Sequence, residues 1–415
     1  MRPRPRELDA ALAEIERQHL TRERRTVEAL GGALKGAFDA PGGAEVVADG
    51  RRLVNFCGND YLGLARHPQV AEALRRGGAD WGVGSGASHL VTGHGAEHAR
   101  LEEELAAYVG RERALLFSTG YMANLAAITT LAGWGDLALL DRASHASLID
   151  AALLCGARWH RYPHGDARAA DRALGAAQAA GASDPRGCLV ATDGVFSMDG
   201  DIAPVADLAR SAAEHEAWLV VDDAHGLGVI GATGRGTLEH LGGLDAEAVP
   251  VLVGTLGKAF GTFGAFIAGS RALIELLIQR ARSYIYTTAL PQALAAATRA
   301  ALTVAQREAW RRERVLALTQ RFRAAARERA LPLAASQTPI QPVLIGEPEA
   351  AVDASRKLLE AGFWVAAIRP PTVPRGTARL RITLSAAHTE AQVDALADAL
   401  ASALQANTPP RQTVR

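Results

Sequence analysis

Val249-Pro-Val-Leu-Val-Gly-Thr-Leu-Gly-Lys258-Ala-Phe-Gly261 runs from an apolar segment into a glycine-rich turn that carries a single lysine. The segment Val249 to Val253 reads as a buried strand, so Lys258 is expected just beyond a strand end, where an open α/β sheet builds its site. A strongly hydrated lysine in such a cleft needs a chemical reason, and one is a Schiff base with a carbonyl cofactor; the alternative is a solvated loop lysine. Upstream, Ala217-Trp-Leu-Val-Val-Asp222-Asp-Ala-His225 is a second apolar strand that ends in a carboxylate, with a histidine three residues on. An aspartate to hold a pyridine nitrogen protonated and a lysine to bind an aldehyde are the pair that pyridoxal 5'-phosphate (PLP) chemistry requires.

Outward from this pair the pattern repeats. Ala114 to Phe117 is a short strand that leads through Ser118-Thr-Gly120-Tyr121 into a helix, a turn that aims backbone N–H groups at an anion. Gly120 and Tyr121 are therefore candidate phosphate ligands, with an ordinary βα turn as the alternative. Leu137 to Leu140 precedes His145, which could stack on a planar cofactor or cap a helix. An Ala-rich helical stretch follows to about Gly181, then strand Gly187 to Thr192, the loop Asp193-Gly-Val-Phe-Ser197-Met-Asp-Gly200 and a helix from Val205 to His215. Strand and helix thus alternate between about 110 and 270, the signature of βαβ units and a mostly parallel sheet.

At the N-terminus, residues 7 to 30 are expected as one amphipathic helix, and Ala44 to Val54 as a hairpin turning at Asp49-Gly50. Asn55 to Gly63 reads as a polar loop. Gly82-Val-Gly-Ser-Gly-Ala-Ser-His89 is a second glycine-rich loop before a helix from Glu97 to Val109. After Pro291 a helical stretch extends to about Ala330. Strand Ile340 to Ile345, helix Ala350 to Ala361, strands Phe363 to Ile368 and Arg379 to Leu384, and a helix capped by Thr389-x-x-Gln392 then form an α+β unit. The expected division is a 1–55 helix-and-hairpin segment, a 56–290 large α/β domain, a 291–407 small α+β domain and a disordered 408–415 tail.

Composition narrows the function classes. Among 415 residues, 45 basic balance 45 acidic side chains, which leaves no general field for nucleic acid or an anionic membrane. Cys57, Cys155 and Cys188 are far apart with no C-x-x-C pair, which argues against both a disulfide framework and a zinc site and suits reduced thiols, so no metal is expected. The first residues lack the apolar core of a secretory signal, and no apolar run is long enough to cross a bilayer, so a cytoplasmic location is expected. Gly226-Leu-Gly-Val-Ile-Gly231 matches a dinucleotide fingerprint, but more glycines follow where a helix should open. Gly254 to Ala259 has the wrong spacing for a P-loop. A nucleotide-binding regulatory protein is the weaker alternative.

Taken together these stretches resemble the α-oxoamine synthases, PLP-dependent enzymes of fold type I, from about residue 8 to 405. The branch that joins L-alanine to a pimeloyl thioester is the nearest within that family. Asn55-Phe56, Asn59 to Gly63, Gly194 to Gly200 and above all Ala367-Ile-Arg-Pro-Pro-Thr-Val-Pro374 with Gly376 to Arg381 carry this narrower resemblance. It implies PLP as cofactor, with Lys258 as the Schiff-base lysine, Asp222 at the pyridine nitrogen, His225 at the ring oxygen, and His145 on the ring face. It also implies Gly120, Tyr121 and Thr255 at the phosphate, Thr288 reaching it from a second subunit of a homodimer, and Ser197 against the cofactor. Arg22, Asn59, Thr372 and Arg381 would face substrate, together with His145. The acyl carrier is acyl carrier protein or coenzyme A. Ala87, His89 and Asp193 depart from the usual glycine, arginine and glutamate. Sister enzymes that use glycine and another acyl-CoA, such as glycine C-acetyltransferase or 5-aminolevulinate synthase, are the near alternative.

Overall fold

A computed structural model describes residues 4, 7–28, 43–180 and 187–405, so the expected disordered tail lies outside the described residues. The strands among them are β1 (Val27–Glu28), β2 (Glu45–Ala48), β3 (Arg51–Asn55), β4 (Arg113–Phe117), β5 (Leu137–Asp141), β6 (Arg158–Tyr162), β7 (Cys188–Asp193), β8 (Trp218–Asp222), β9 (Val251–Thr255), β10 (Ala265–Gly269), β11 (Ile340–Gly346), β12 (Phe363–Trp364), β13 (Ala366–Ile368) and β14 (Ala378–Thr383). The chain separates into two compact units. One draws on Met1–Tyr61, Met198–Gly200 and Glu313–Arg415, the other on Leu62–Ser197 and Asp201–Arg312. The N-terminal hairpin therefore belongs with the C-terminal elements, and the divisions fall near 61 and 312 rather than at 55 and 290. The helix Gln292–Arg307 explains the second shift, because it packs on Pro68–Trp81 and Ala96–Val109 of the larger unit.

The larger unit is a seven-stranded sheet in the order β4-β10-β9-β8-β7-β5-β6. The interior strands β8 and β9 are apolar nearly throughout because helices cover both faces of the sheet. Only β10 runs antiparallel to its neighbours, and since it opposes both β4 and β9, those two are parallel to each other. The carboxyl ends of β4, β5, β7, β8 and β9 consequently lie along one edge, where ligands bind in such sheets. The core beneath that edge includes Phe117, Ala126, Leu140, Val220, Val253 and Ile267. Strand β6 breaks the expected Ala-rich helix in two. Its sequence Arg-Trp-His-Arg-Tyr is polar because β6 is an edge strand paired only with β5.

The smaller unit holds two sheets, β1-β2-β3-β12 and β11-β14-β13. The hairpin β2–β3 turns at Asp49 and Gly50, both with positive φ, as a type I′ turn demands. The expected 7–30 helix stops at Arg17, and β1 then pairs with β2, so the Arg22–Arg25 cluster lies outside any helix. The expected single strand 363–368 splits, β12 joining β3 and β13 joining β14. The 291–330 stretch breaks into Gln292–Arg307 and Trp310–Glu328. Thr389 caps Glu390–Gln405 reciprocally with Gln392, its Oγ1 accepting from Gln392 N–H at 3.1 Å while Gln392 Oε1 accepts from Thr389 N–H at 2.9 Å.

Candidate active site

Strands β8 and β9 are paired, and each releases a reactive side chain into the loop just beyond its end. Lys258 Nζ and His225 Nε2 meet there at 2.9 Å. Asp222, the last residue of β8 and only 6% exposed, accepts from Ala224 N–H at 3.0 Å and from Asn124 Nδ2 at 2.6 Å. Asn124 lies in the helix Gly120–Leu131, the element that follows β4, and donates from the same nitrogen to Ser147 Oγ at 2.8 Å. Ser147 in turn lies 2.7 Å from His145 Nδ1, which also accepts Ser147 N–H at 3.3 Å as the cap of Ala146–Cys155. Ser147 and His145, both from the segment after β5, are thus tied to Asp222 through the one Asn124 amide.

The electrostatics follow from this crowding. Asp193 ends β7 directly beside Asp222 and accepts His145 N–H at 2.9 Å. Burial, then the Asp222 charge, push its carboxyl well above the usual range. His145 is reached by solvent, yet the protein around it removes enough hydration to lower its pKa; Asp222 opposes that shift and Lys258 adds to it. Behind the site Asp223 is fully buried and pushed up to about 7, chiefly by lost hydration. It accepts Thr237 N–H at 2.7 Å and Thr237 Oγ1 at 2.5 Å, pinning the glycine-rich loop after β8. A side chain at Gly236, where φ is +87°, would meet Asp223 Oδ2 at 1.9 Å. These glycines admit a buried carboxylate, and no helix opens at Gly231, which removes the dinucleotide reading.

The other expected residues are divided between the two units. Gly120 opens its helix with open space where a side chain would be, and Thr119 caps the same turn through Met122 N–H at 3.2 Å. Exposed Tyr121 bonds Asp150. Thr255 Oγ1 donates to Gly264 O at 3.2 Å, Thr288 is exposed and Ser197 is half-buried. In the smaller unit Arg381 of β14 donates to Asn59 Oδ1 from both terminal nitrogens, at 3.3 and 3.2 Å. Arg22 and Thr372 line one pocket of about 250 Å³ together with Arg369, which donates to the carbonyls of His19 and Thr21. Arg369 belongs to the 367–374 stretch that carries the narrower resemblance, whereas Asn124 and Ser147 are not site candidates from sequence. An asparagine four residues into a helix behind a small-residue turn was the one available signal.

Along the carboxyl edge of the larger sheet stand helix N–H groups, a primary amine and a buried carboxylate. This donor set matches a phosphate, an aldehyde and a protonated ring nitrogen, so the residues fit PLP. Fold and site together define a PLP-dependent enzyme of fold type I, and the family described as aminotransferase class I and II matches residues 51–400. More narrowly, the chain belongs to the 8-amino-7-oxononanoate synthases. It is 60% identical over 385 residues to the 8-amino-7-oxononanoate synthase of Methylococcus capsulatus (strain Bath), which covers 93% of this chain and 95% of that one. A solved 8-amino-7-oxononanoate synthase from Francisella tularensis superposes with a TM-score of 0.73 at 30% identity, covering 85% of this chain and 98% of the other. A serine palmitoyltransferase solved with PLP gives 0.88 at 29% identity, covering 98% and 99%. Among the described residues no helix is long and apolar enough to cross a membrane.

Proposed function

We infer that this chain condenses L-alanine with a pimeloyl thioester, giving 8-amino-7-oxononanoate, CO2 and the free thiol carrier in biotin synthesis. The observation that carries the reading is the convergence of Lys258 and His225 beside buried Asp222, in a chain of this family. The cofactor PLP falls to Lys258 at its aldehyde, Asp222 at its ring nitrogen, His225 at its ring oxygen, His145 and Ser197 against the ring, and Gly120, Tyr121 and Thr255 at its phosphate. Bound there, it withdraws electron density from the alanine Cα.

The chain's own residues do the rest. Lys258 Nζ takes the proton from the alanine Cα, held in line by its contact to His225. The Cα then bonds to the thioester carbonyl carbon and the C–S bond breaks, the thiolate leaving and taking its proton from solvent. His145 Nδ1 is occupied by both Ser147 donors, so the neutral ring carries its proton on Nε2 and offers that N–H to the carbonyl oxygen as charge develops. Cleavage of the bond to the alanine carboxyl carbon releases CO2, and Lys258 returns a proton to Cα. Asn124 and Ala224 N–H fix the Asp222 carboxylate throughout. Arg22, Asn59, Thr372 and Arg381 are assigned to substrate, Arg381 suiting a carboxylate. Thr288 is assigned to the phosphate of a second copy, in a cytoplasmic homodimer with shared sites. Acyl carrier protein or coenzyme A delivers the acyl group.

The visible spectrum of the PLP-loaded protein, titrated with L-alanine, glycine and L-serine before pimeloyl-CoA is added, tests this. A yellow protein whose band moves with alanine, and which then releases 8-amino-7-oxononanoate, is expected. A response to glycine alone would move the protein to a sister activity, and a colourless protein after PLP addition would sink the reading.

A further inference from the structure

Three histidines that the reaction does not use converge elsewhere in the larger unit. His89 opens the π-helical turn His89–Gly93, His94 follows it, and His98 lies in the first turn of Ala96–Val109. One ring nitrogen of each lies within 4.8 Å of the other two. The turn closes with Gly93 N–H on the Ser88 carbonyl at 2.9 Å, and its five-residue step brings the Nδ1 atoms of His89 and His94 to 3.0 Å. Isolated π turns are rare and concentrate at functional sites.

The remaining ring nitrogens of His98 and His94 face groups that orient metal-bound imidazoles. His98 Nε2 is 2.5 Å from the Leu290 carbonyl, and His94 Nε2 is 4.0 Å from the Glu102 carboxylate, itself held by Leu116 N–H at 3.0 Å. A carbonyl or carboxylate hydrogen-bonded behind a ligand fixes which nitrogen offers its lone pair. Donation to Leu290 leaves that lone pair on His98 Nδ1, now taken by Gly95 N–H at 3.0 Å, a single contact that ligation would replace. His89 is buried and stacked on Tyr284, with ring centroids 4.9 Å apart, whereas His94 is 33% exposed and gives an ion its way in.

We propose that His89, His94 and His98 bind one divalent transition-metal ion of the zinc class through their Nδ1 atoms, with Glu102 orienting His94 and a fourth position open to water. Zinc–nitrogen bonds of about 2.0–2.1 Å set tetrahedral nitrogens roughly 3.4 Å apart, so the His89–His94 pair opens slightly and His98 closes in. Three imidazoles without a thiolate suit zinc, nickel or copper over magnesium or calcium. Cysteine spacing, the guide to metal sites in the sequence, is blind to such a set.

The test uses full-length, PLP-loaded protein stripped of metal and titrated with zinc chloride against a chromophoric zinc indicator. One zinc per chain is expected, with affinity falling roughly 10–100-fold in Glu102→Gln and at least as far in His94→Ala. Cobalt(II) should give visible ligand-field bands that His94→Ala abolishes. His94 is partly exposed and its recorded side-chain contacts stay within the cluster and Glu102, so that variant folds, as circular dichroism will verify. Wild-type protein without a saturable one-to-one zinc site, or a site undiminished in both His94→Ala and His89→Asn, overturns the proposal.

Discussion

Lys258 and Arg381 are both cations placed by a strand, and they are placed in opposite ways. Lys258 stands three residues beyond the end of β9, detached from the ladder, and its Nζ meets another loop residue, His225. Arg381 lies within β14, opposite Pro342 of β11 on one side and Ala366 of β13 on the other, 6% exposed and bound twice to Asn59. In the parallel sheet chemistry is separated from the frame, because side chains past strand ends can move without breaking backbone pairing. In the small antiparallel sheet the binding candidate is part of the frame.

The strongest way to break this contrast is Lys258→Ala. Turnover should fall by roughly 10³-fold or more while the denaturation free energy stays within about 0.5 kcal/mol. A variant that instead unfolds would place the lysine in the frame. Arg381→Ala should add a loss of stability to its loss of substrate affinity, costing about 2–4 kcal/mol in urea denaturation because it leaves a cavity and takes both guanidinium donors from Asn59 Oδ1. An unshifted midpoint would contradict it.

Asn124→Ala sharpens the contrast inside the larger unit, since Asn124 is buried and serves the site. A loss of about 1–3 kcal/mol is expected, together with a lower kcat at nearly unchanged KM, as Asp222 and Ser147 lose their shared donor. A change in KM alone would argue against positioning. Thr389→Ala removes the cap of Glu390–Gln405 and should cost about 1 kcal/mol with no kinetic effect, measured by thermal melting and steady-state rates.

The smallest effect is the pH dependence from His164. The Asp141 carboxylate, at 2.9 Å, and then that of Asp201, at 3.0 Å, raise its pKa from 6.5 to about 10. The folded value exceeds the unfolded one, so this stabilisation is fully present below about pH 6.5 and is lost as pH climbs toward 10. Because the ring is 34% exposed the slope will be shallow, and His164→Gln should flatten it; an unchanged slope would show the pair to be screened.

Much of this was legible in the chain. Strands β7, β8 and β9 stand out as apolar runs, the first two ending in Asp193 and Asp222 and the third followed by Lys258, and the Asp49-Gly50 hairpin and Thr389 cap follow from turn and cap chemistry. Strand β6 did not, because an edge strand is polar enough to pass for helix or loop. The N-terminal helix was over-extended because leucine spacing continues to Leu20, whereas pairing of β1 with β2 claims the residues beyond.

By itself, the sequence determined which side chains are candidates for the chemistry and which strand each one follows, since periodicity, caps and turns act over a few residues. Tertiary structure alone decided that β10 runs backwards and so aligns the ends of β4 and β9, and that Asn124 reaches both Asp222 and Ser147. It also decided that Arg381 meets a partner 322 residues away and that His89 turns to face His94. The physical reason is that buried polar groups must find hydrogen bonds, and sheet order and burial, rather than chain distance, choose the partners.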